Sequence, residues 1–191
     1  MRNKILDSIY EIHGFDKRYR NETIFESSLG TSGVYGEITR EGVDNIVNDF
    51  KSYFNNNTVF YDLGCGLGKM VFHIGIQYKV KKSCGIEYSK EKYRGSIDIQ
   101  NKHCSTFNNI NFIHDSIFEQ DISDATVIYI DNTMYLKEQP NKKIYDKIPK
   151  DCFILCRRPL LSPDPHNVFT KIKNIKYSTT YNSKELIYGI K

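Results

Sequence analysis

Residues 58–68 read Thr58-Val59-Phe60-Tyr61-Asp62-Leu63-Gly64-Cys65-Gly66-Leu67-Gly68, and after one amphipathic helical stretch comes Cys84-Gly85-Ile86-Glu87. A β-rich run ending in Asp, glycines at every second position and an acid closing the next strand form the layout of a βαβ nucleotide site. In dinucleotide enzymes the third glycine follows two intervening residues, and the helix N-terminus faces a pyrophosphate. Here the glycines are Gly64, Gly66 and Gly68, and Asp62 stands just before the loop, where a carboxylate repels phosphate and welcomes an ammonium group. An adenosine ligand that carries an ammonium and a sulfonium, S-adenosylmethionine, meets both requirements. The glycines let the backbone turn sharply and approach the ligand, and Glu87 is placed to accept hydrogen bonds from the two ribose hydroxyls. The simpler alternative is a glycine-rich turn in an ordinary α/β domain, with Glu87 solvated.

The chain has 191 residues and 39% hydrophobic content, enough for one domain with a sizeable core. No segment has the apolar length to cross a membrane, and Met1-Arg2-Asn3-Lys4 opens no signal-peptide stretch, so an intracellular, soluble protein is expected. Five cysteines, at positions 65, 84, 104, 152 and 156, include no CxxC pair. Neither a disulfide framework nor a zinc site is indicated, and no metal is expected. The net charge of +4 permits an acidic partner without requiring one.

The periodicities predict a doubly wound, Rossmann-like α/β sheet, mostly parallel with an antiparallel C-terminal hairpin. Ile5, Leu6, Ile9, Tyr10 and Ile12 mark a short N-terminal helix, followed by a polar loop from about Asn21 to Glu37. Val43, Ile46, Val47, Phe50 and Phe54 recur at helical spacing. Strands are expected at Val59 to Asp62, Ser83 to Glu87, Ile110 to His114, Thr126 to Asp131 and Cys152 to Arg157. Helices are expected from Val71 to Tyr78, from the N-cap Ser89 to about Cys104, and near Lys142 to Ile148. Asn174 to Thr180 and Glu185 to Ile190 read as the hairpin. Residues 1–37 form the N-terminal helix and a loop, and 38–191 the main domain, within one compact unit.

Ligands in such sheets bind at the carboxyl ends of the strands. Asp115, closing the third strand, can accept the adenine amino group or cap a turn. Asn132, following the fourth, can hold the methyl acceptor or serve as an ordinary turn residue. The chain lacks the Asn-Pro-Pro-aromatic and Asp-Pro-Pro-aromatic runs of many enzymes that methylate exocyclic base nitrogens or glutamine, and the Pro-Cys nucleophile of the cytosine-carbon type.

Gly33-Val34-Tyr35-Gly36-Glu37-Ile38, the glycine loop through Val71, Gly85-Ile86-Glu87 and Ile130-Asp131-Asn132-Thr133-Met134-Tyr135 together resemble the catalytic domain of the disruptor-of-telomeric-silencing histone methyltransferases, the lysine methyltransferases without a SET domain. The resemblance spans Gly33 to Pro159, and Tyr35-Gly36-Glu37 is its most specific element. It implies that Tyr35 and Glu37 belong to a loop folding over the methionine end of the cofactor, that Asp62, Gly64, Gly66 and Gly68 form the methionine-binding turn, that Glu87 holds the ribose, and that Asp115 binds adenine. It implies an acceptor site at Asn132 and Tyr135, with Tyr188 lining a lysine channel, although a Tyr in that hairpin equally suits core packing. Where the family has paired asparagines and Phe, this chain has Asp131-Asn132-Thr133, and the additional carboxylate either holds the substrate ammonium or marks a different acceptor.

The implied activity is methylation of a lysine on the folded core of a nucleosomal histone, with the nucleosome as partner, weak non-specific DNA contact and a nuclear location. The alternatives are a methyltransferase acting on a non-histone protein lysine, an RNA or a small molecule, and a non-catalytic subunit that keeps the fold. The family's helical N-terminal lobe is expected to be shortened here, and its lysine-rich extension absent.

Overall fold

The computed structural model describes residues 1–12, 36–132, 138–158, 160, 175–178 and 183–191, with backbone alone for 138, 175–178 and 183–187. Tyr35, the polar loop before it, Tyr135 and the turn between the last two strands lie outside these residues.

A seven-stranded sheet forms the centre. Its strands are β1 (Val59–Leu63), β2 (Lys82–Glu87), β3 (Ile110–His114), β4 (Val127–Ile130), β5 (Phe153–Cys156), β6 (Ile175–Ser178) and β7 (Ser183–Ile190), in the spatial order β3-β2-β1-β4-β5-β7-β6. The first five are parallel; β7 is antiparallel to both β5 and β6. The reversal of order between β1 and β4 creates a crevice at their carboxyl ends, the switch point at which such sheets bind ligands.

The buried strands are nearly continuous apolar runs, as expected where both faces are covered. Alternation sends Phe60, Val127, Tyr129, Phe153 and Leu155 into one core layer, with α1 (Arg2–Tyr10), α2 (Arg40–Asp49), α3 (Lys69–Gln77) and α4 (Lys90–His103). Val59, Tyr61, Ile128, Ile130, Ile154 and Cys156 enter the other layer, with Ile144 and Ile148 at α5 (Glu138–Lys147) and the segment just beyond it.

Local chemistry sets most element ends. Thr39 caps α2 by accepting from the Gly42 N–H (3.1 Å), and Ser89 caps α4 by accepting from Lys92 N–H (3.4 Å). The α2 segment does not continue to Phe54 as one helix. It breaks at Phe50 into a 3₁₀ turn, Lys51–Tyr53, and Thr58 then holds the link to β1 by donating to Tyr53 O at 2.7 Å and accepting from the Asn55 N–H at 2.8 Å.

The helix α1 is part of the main core, since Leu6 and Ile9 are fully buried. A polar bridge fastens it below the crevice: Tyr10 Oη lies 2.9 Å from His73 Nδ1 on α3, His73 Nε2 lies 3.0 Å from Asp44 Oδ1 on α2, and Tyr78 donates to the same oxygen at 2.7 Å. Among the described residues no helix is long and apolar enough to cross a membrane.

Candidate active site

The glycine loop leaves β1 and turns three times through the left-handed region, with φ of 88° at Gly64, 58° at Gly66 and 78° at Gly68. Only glycine visits that region without a steric cost. Gly68 is constrained a second time, because a Cβ there would come within 2.4 Å of the Phe112 ring. The N–H groups of Gly64 and Cys65 both donate to Ile86 O, at 2.9 and 3.1 Å, and so tie the loop to the end of β2.

Glu87 completes that tie. Its Oε2 accepts from the Gly66 N–H and its Oε1 from the Ser89 N–H, each at 2.7 Å. A carboxylate oxygen accepts more than one hydrogen bond, so both oxygens, already oriented by the backbone, retain capacity for a diol.

The crevice floor is set by strand register. Asp62 pairs with Gly85 on one side and Tyr129 on the other, so its side chain projects from the same face as Tyr129. Asp62 is 5% exposed, and its carboxylate has no hydrogen-bond or ion-pair partner among the described residues. Burial raises its pKa well above the ordinary carboxylate range, with Glu87 and Asp131 adding to the rise. A buried carboxylate without a partner, inside a ring of other acids, has its electrostatic cost removed by a bound cation. The cavity beside it, about 50 Å³, is lined by Glu37, Asp62, Cys65, Lys69, Tyr129 and Asp131 among others. That volume suits a head group rather than a whole nucleoside, for which sites of roughly 300–1,000 Å³ are usual.

Lys69 falls in the glycine-loop run through Val71, but no role for it follows from that motif. It is the first residue of α3, where a cation opposes the helix dipole and the first turn offers no acid. That mismatch is the one sequence signal that a carboxylate must come from elsewhere. The structure supplies Glu37: its Oε2 lies 2.9 Å from Lys69 Nζ, the two side chains being 3% and 6% exposed, and Nζ also donates to Tyr10 O at 3.4 Å. The loop before α2, the start of α3 and the end of α1 therefore meet at one buried ion pair.

Of the remaining expected site residues, Asp115 abuts Glu87 through its N–H, which donates to Glu87 O at 3.2 Å. Its carboxylate caps the following turn, accepting from the Ser116 N–H at 2.6 Å and from Gln120 Nε2 at 2.5 Å. Asn132 is fully buried and saturated. Its Oδ1 accepts from the N–H groups of Arg157 and Arg158, at 3.1 and 2.8 Å, while Nδ2 donates to Asn141 Oδ1 and Arg158 O, at 2.8 and 3.0 Å. An amide has two donor and two acceptor positions, and all are used, so the carbonyl expected to orient an amine is committed to the backbone after β5. Tyr188 pairs with Leu155, and its ring packs on Phe50 and Phe153 at centroid distances of 4.5 and 5.9 Å, contacts that suit its core-packing reading.

The architecture is that of a class I methyltransferase. An RNA methyltransferase from Salinibacter ruber, in complex with S-adenosyl-L-homocysteine, superposes with a TM-score of 0.57 at 17% identity, covering 80% of this chain and 93% of that one. Magnesium protoporphyrin IX methyltransferase from Synechocystis PCC 6803 with bound SAM gives 0.61 at 12% identity, covering 100% and 97%. The chain belongs to the DOT1 histone methylation protein family, whose pattern matches residues 20–186. A protein-lysine N-methyltransferase from Saccharolobus islandicus is 31% identical over 97 residues, which are 51% of this chain and 57% of that relative.

Proposed function

We propose that the protein is an S-adenosylmethionine-dependent protein-lysine N-methyltransferase whose acceptor is a lysine on the folded surface of a nucleosomal histone. The observation that carries the cofactor reading is Asp62: a buried, unpartnered carboxylate at the switch point calls for a cation, and the ammonium of a methionine head group fits a cavity of that size. Family membership supports the histone acceptor. The name of the archaeal relative, which specifies protein lysine and no histone, favours a non-histone protein lysine as the second reading.

In this arrangement Asp62 receives the ammonium and Lys69, released in part from Glu37, the carboxylate of the same head group. Glu87 accepts from the ribose hydroxyls while Gly66 and Ser89 hold it in place. Asp115 takes the adenine amino group, and Tyr35 and Glu37 close over the methionine end. The bound cofactor supplies an electrophilic methyl group on a sulfonium. The target lysine must arrive as a neutral amine, which from the ordinary lysine pKa near 10.4 costs about 4 to 5 kcal/mol at pH 7. Desolvation in a channel lined by aromatic side chains such as Tyr135 lowers that cost, and alignment supplies much of the rate. Asn132 acts as a positioning residue: it fixes the chain ends after β4 and β5 that flank the acceptor entrance.

The test is transfer of labelled methyl from S-adenosylmethionine to nucleosomes, free histone octamers, RNA and whole lysate. Labelling of a histone-core lysine in nucleosomes is expected. Labelling confined to an unrelated protein would remove the histone acceptor and keep lysine methylation; labelling confined to RNA would remove the lysine reading.

A further inference from the structure

The end of α1 reaches the cofactor crevice through Tyr10, a residue the cofactor reading leaves unused. Lys69 and His73 are four positions apart on α3 and so share one of its faces. Tyr10 spans both. Its hydroxyl lies 2.9 Å from His73 Nδ1, its ring centroid lies 5.5 Å from Lys69 Nζ, and its carbonyl accepts from that ammonium at 3.4 Å. His73 is fully buried, and burial lowers its pKa to about 4, so the imidazole is neutral near pH 7. Burial, with Asp44 nearby, raises the Tyr10 pKa and keeps the phenol protonated. The Tyr10 O–H therefore donates to Nδ1, and the other ring nitrogen, Nε2, faces Asp44. Arg40 of α2 adds a second hold on α1, donating to Asp7 Oδ1 and, at 2.9 Å, to Asn3 Oδ1.

We infer that Tyr10 is a positioning residue for the cofactor's carboxylate: docked on His73, it holds the Lys69 ammonium at the cavity, so that docking of α1 and binding of the head group reinforce each other. This rests on the cofactor reading above. An ammonium has three donors, and among the described residues Lys69 Nζ gives one to Glu37 Oε2 at 2.9 Å and one to Tyr10 O. Lys69 lines the same cavity as Asp62, so its third donor is within that cavity's reach. Two acceptors on different elements take from this long side chain most of its rotamer freedom before a ligand arrives, which removes an ordering cost from binding. When Lys69 turns part of its charge from Glu37 to the ligand, the Tyr10 carbonyl and ring remain against it. Coupling of this kind is reciprocal: whatever α1 adds to the affinity for the carboxylate, the carboxylate adds to the docking of α1.

The probes are S-adenosylhomocysteine and its decarboxylated analogue, which keeps the ammonium for Asp62 and lacks the carboxylate, each titrated by calorimetry. The wild type should bind S-adenosylhomocysteine roughly tenfold or more tightly than the analogue, as for a hydrogen bond between charged groups. Tyr10→Phe, which keeps the ring and removes the bond to His73, should lower affinity for S-adenosylhomocysteine about three- to tenfold and change that for the analogue by less than about twofold. In a Lys69→Met background the same substitution should have no further effect on either ligand, since the two residues act in series. Equal loss for both ligands would make Tyr10 a general support of the fold and overturn the inference, as would no loss for either. Hydrogen exchange of the wild type decides the matter even where Tyr10→Phe does not fold. With both ligands at equal saturation, global stabilisation is the same, and S-adenosylhomocysteine should slow exchange of the α1 amides about threefold or more beyond the analogue, by the same coupling; equal slowing would overturn the inference. Failure of the wild type to bind either ligand would overturn the cofactor reading and this inference with it, whereas binding both equally would remove Lys69 from the head group and leave the cofactor in place.

Discussion

Asp62 costs the ligand-free protein stability and gives it a binding site. Its pKa in the folded chain is raised by burial, so the stabilising form is the protonated one; that contribution is present in acid and is lost as pH rises through the folded-state value. Asp62→Asn should therefore raise the melting temperature of the ligand-free protein at neutral pH, and its advantage over wild type should shrink as pH falls, which calorimetry across pH can follow. The same substitution should remove binding of S-adenosylmethionine. In the wild type, affinity should decline on acidification while the pH is still above the usual carboxylate range, because the proton competes with the ammonium. Asn132 presents the opposite balance. Asn132→Ala would remove the four hydrogen bonds that Asn132 makes to Arg157, Arg158 and Asn141, at about 1–3 kcal/mol for each buried group left without a replacement. Denaturant unfolding should show a large loss, and turnover should fall much more than cofactor affinity. Equal losses in turnover and cofactor affinity would move Asn132 into the cofactor shell.

Among the elements, the Lys69–Glu37 pair decides how the loop before α2 is held. Removing one partner of a buried pair leaves an uncompensated charge and commonly costs about 3–5 kcal/mol, whereas replacing both by groups of similar volume can be neutral. Glu37→Gln and Lys69→Met should each destabilise the ligand-free protein, and the double variant should recover much of the loss in a double-mutant cycle. Loss of Lys69 should weaken cofactor binding in the single and the double variant alike, which separates its ligand role from its structural one. Element limits are legible where local chemistry sets them: Ser89 caps α4 as its residue type suggests, and β3 spans the predicted Ile110 to His114. They are not where packing intervenes. Phe50 and Phe54 keep helical spacing, yet Phe50 must meet Phe153 and Tyr188 in the core, and the helix ends there.

For the whole molecule, a ligand that binds only the folded state at a hundredfold above its Kd adds about 2.7 kcal/mol, a melting shift of roughly 5 to 10 °C at this size. That shift is expected with S-adenosylmethionine and with its demethylated product, and no shift at millimolar ligand would count against the site as described. Gly66→Val should abolish it, since a β-branched residue at φ 58° strains the loop and removes the mount of Glu87. If the acceptor is nucleosomal, activity should fall with salt in proportion to the phosphates neutralised, close to one unit of logarithmic slope for each. The modest charge of +4 predicts a shallow dependence.

The sequence by itself determined the sheet, the glycine loop and the positions of Asp62 and Glu87. Each depends on short-range rules: apolar runs for buried strands, positive φ for glycine, a carboxylate where phosphate is unwelcome. It could not determine which long-range partners those residues meet. Glu37 and Lys69 are thirty-two positions apart and Asn132 and Arg158 twenty-six, so no periodicity connects them; only the packing of α1 and α3 and the register of β4 with β5 do. That is why the loop acid Glu37 forms half of a buried ion pair and Asn132 is tied to the backbone after β5. Side-chain direction at a strand end is chosen by the free space and charge around it, and these exist only once the elements have assembled.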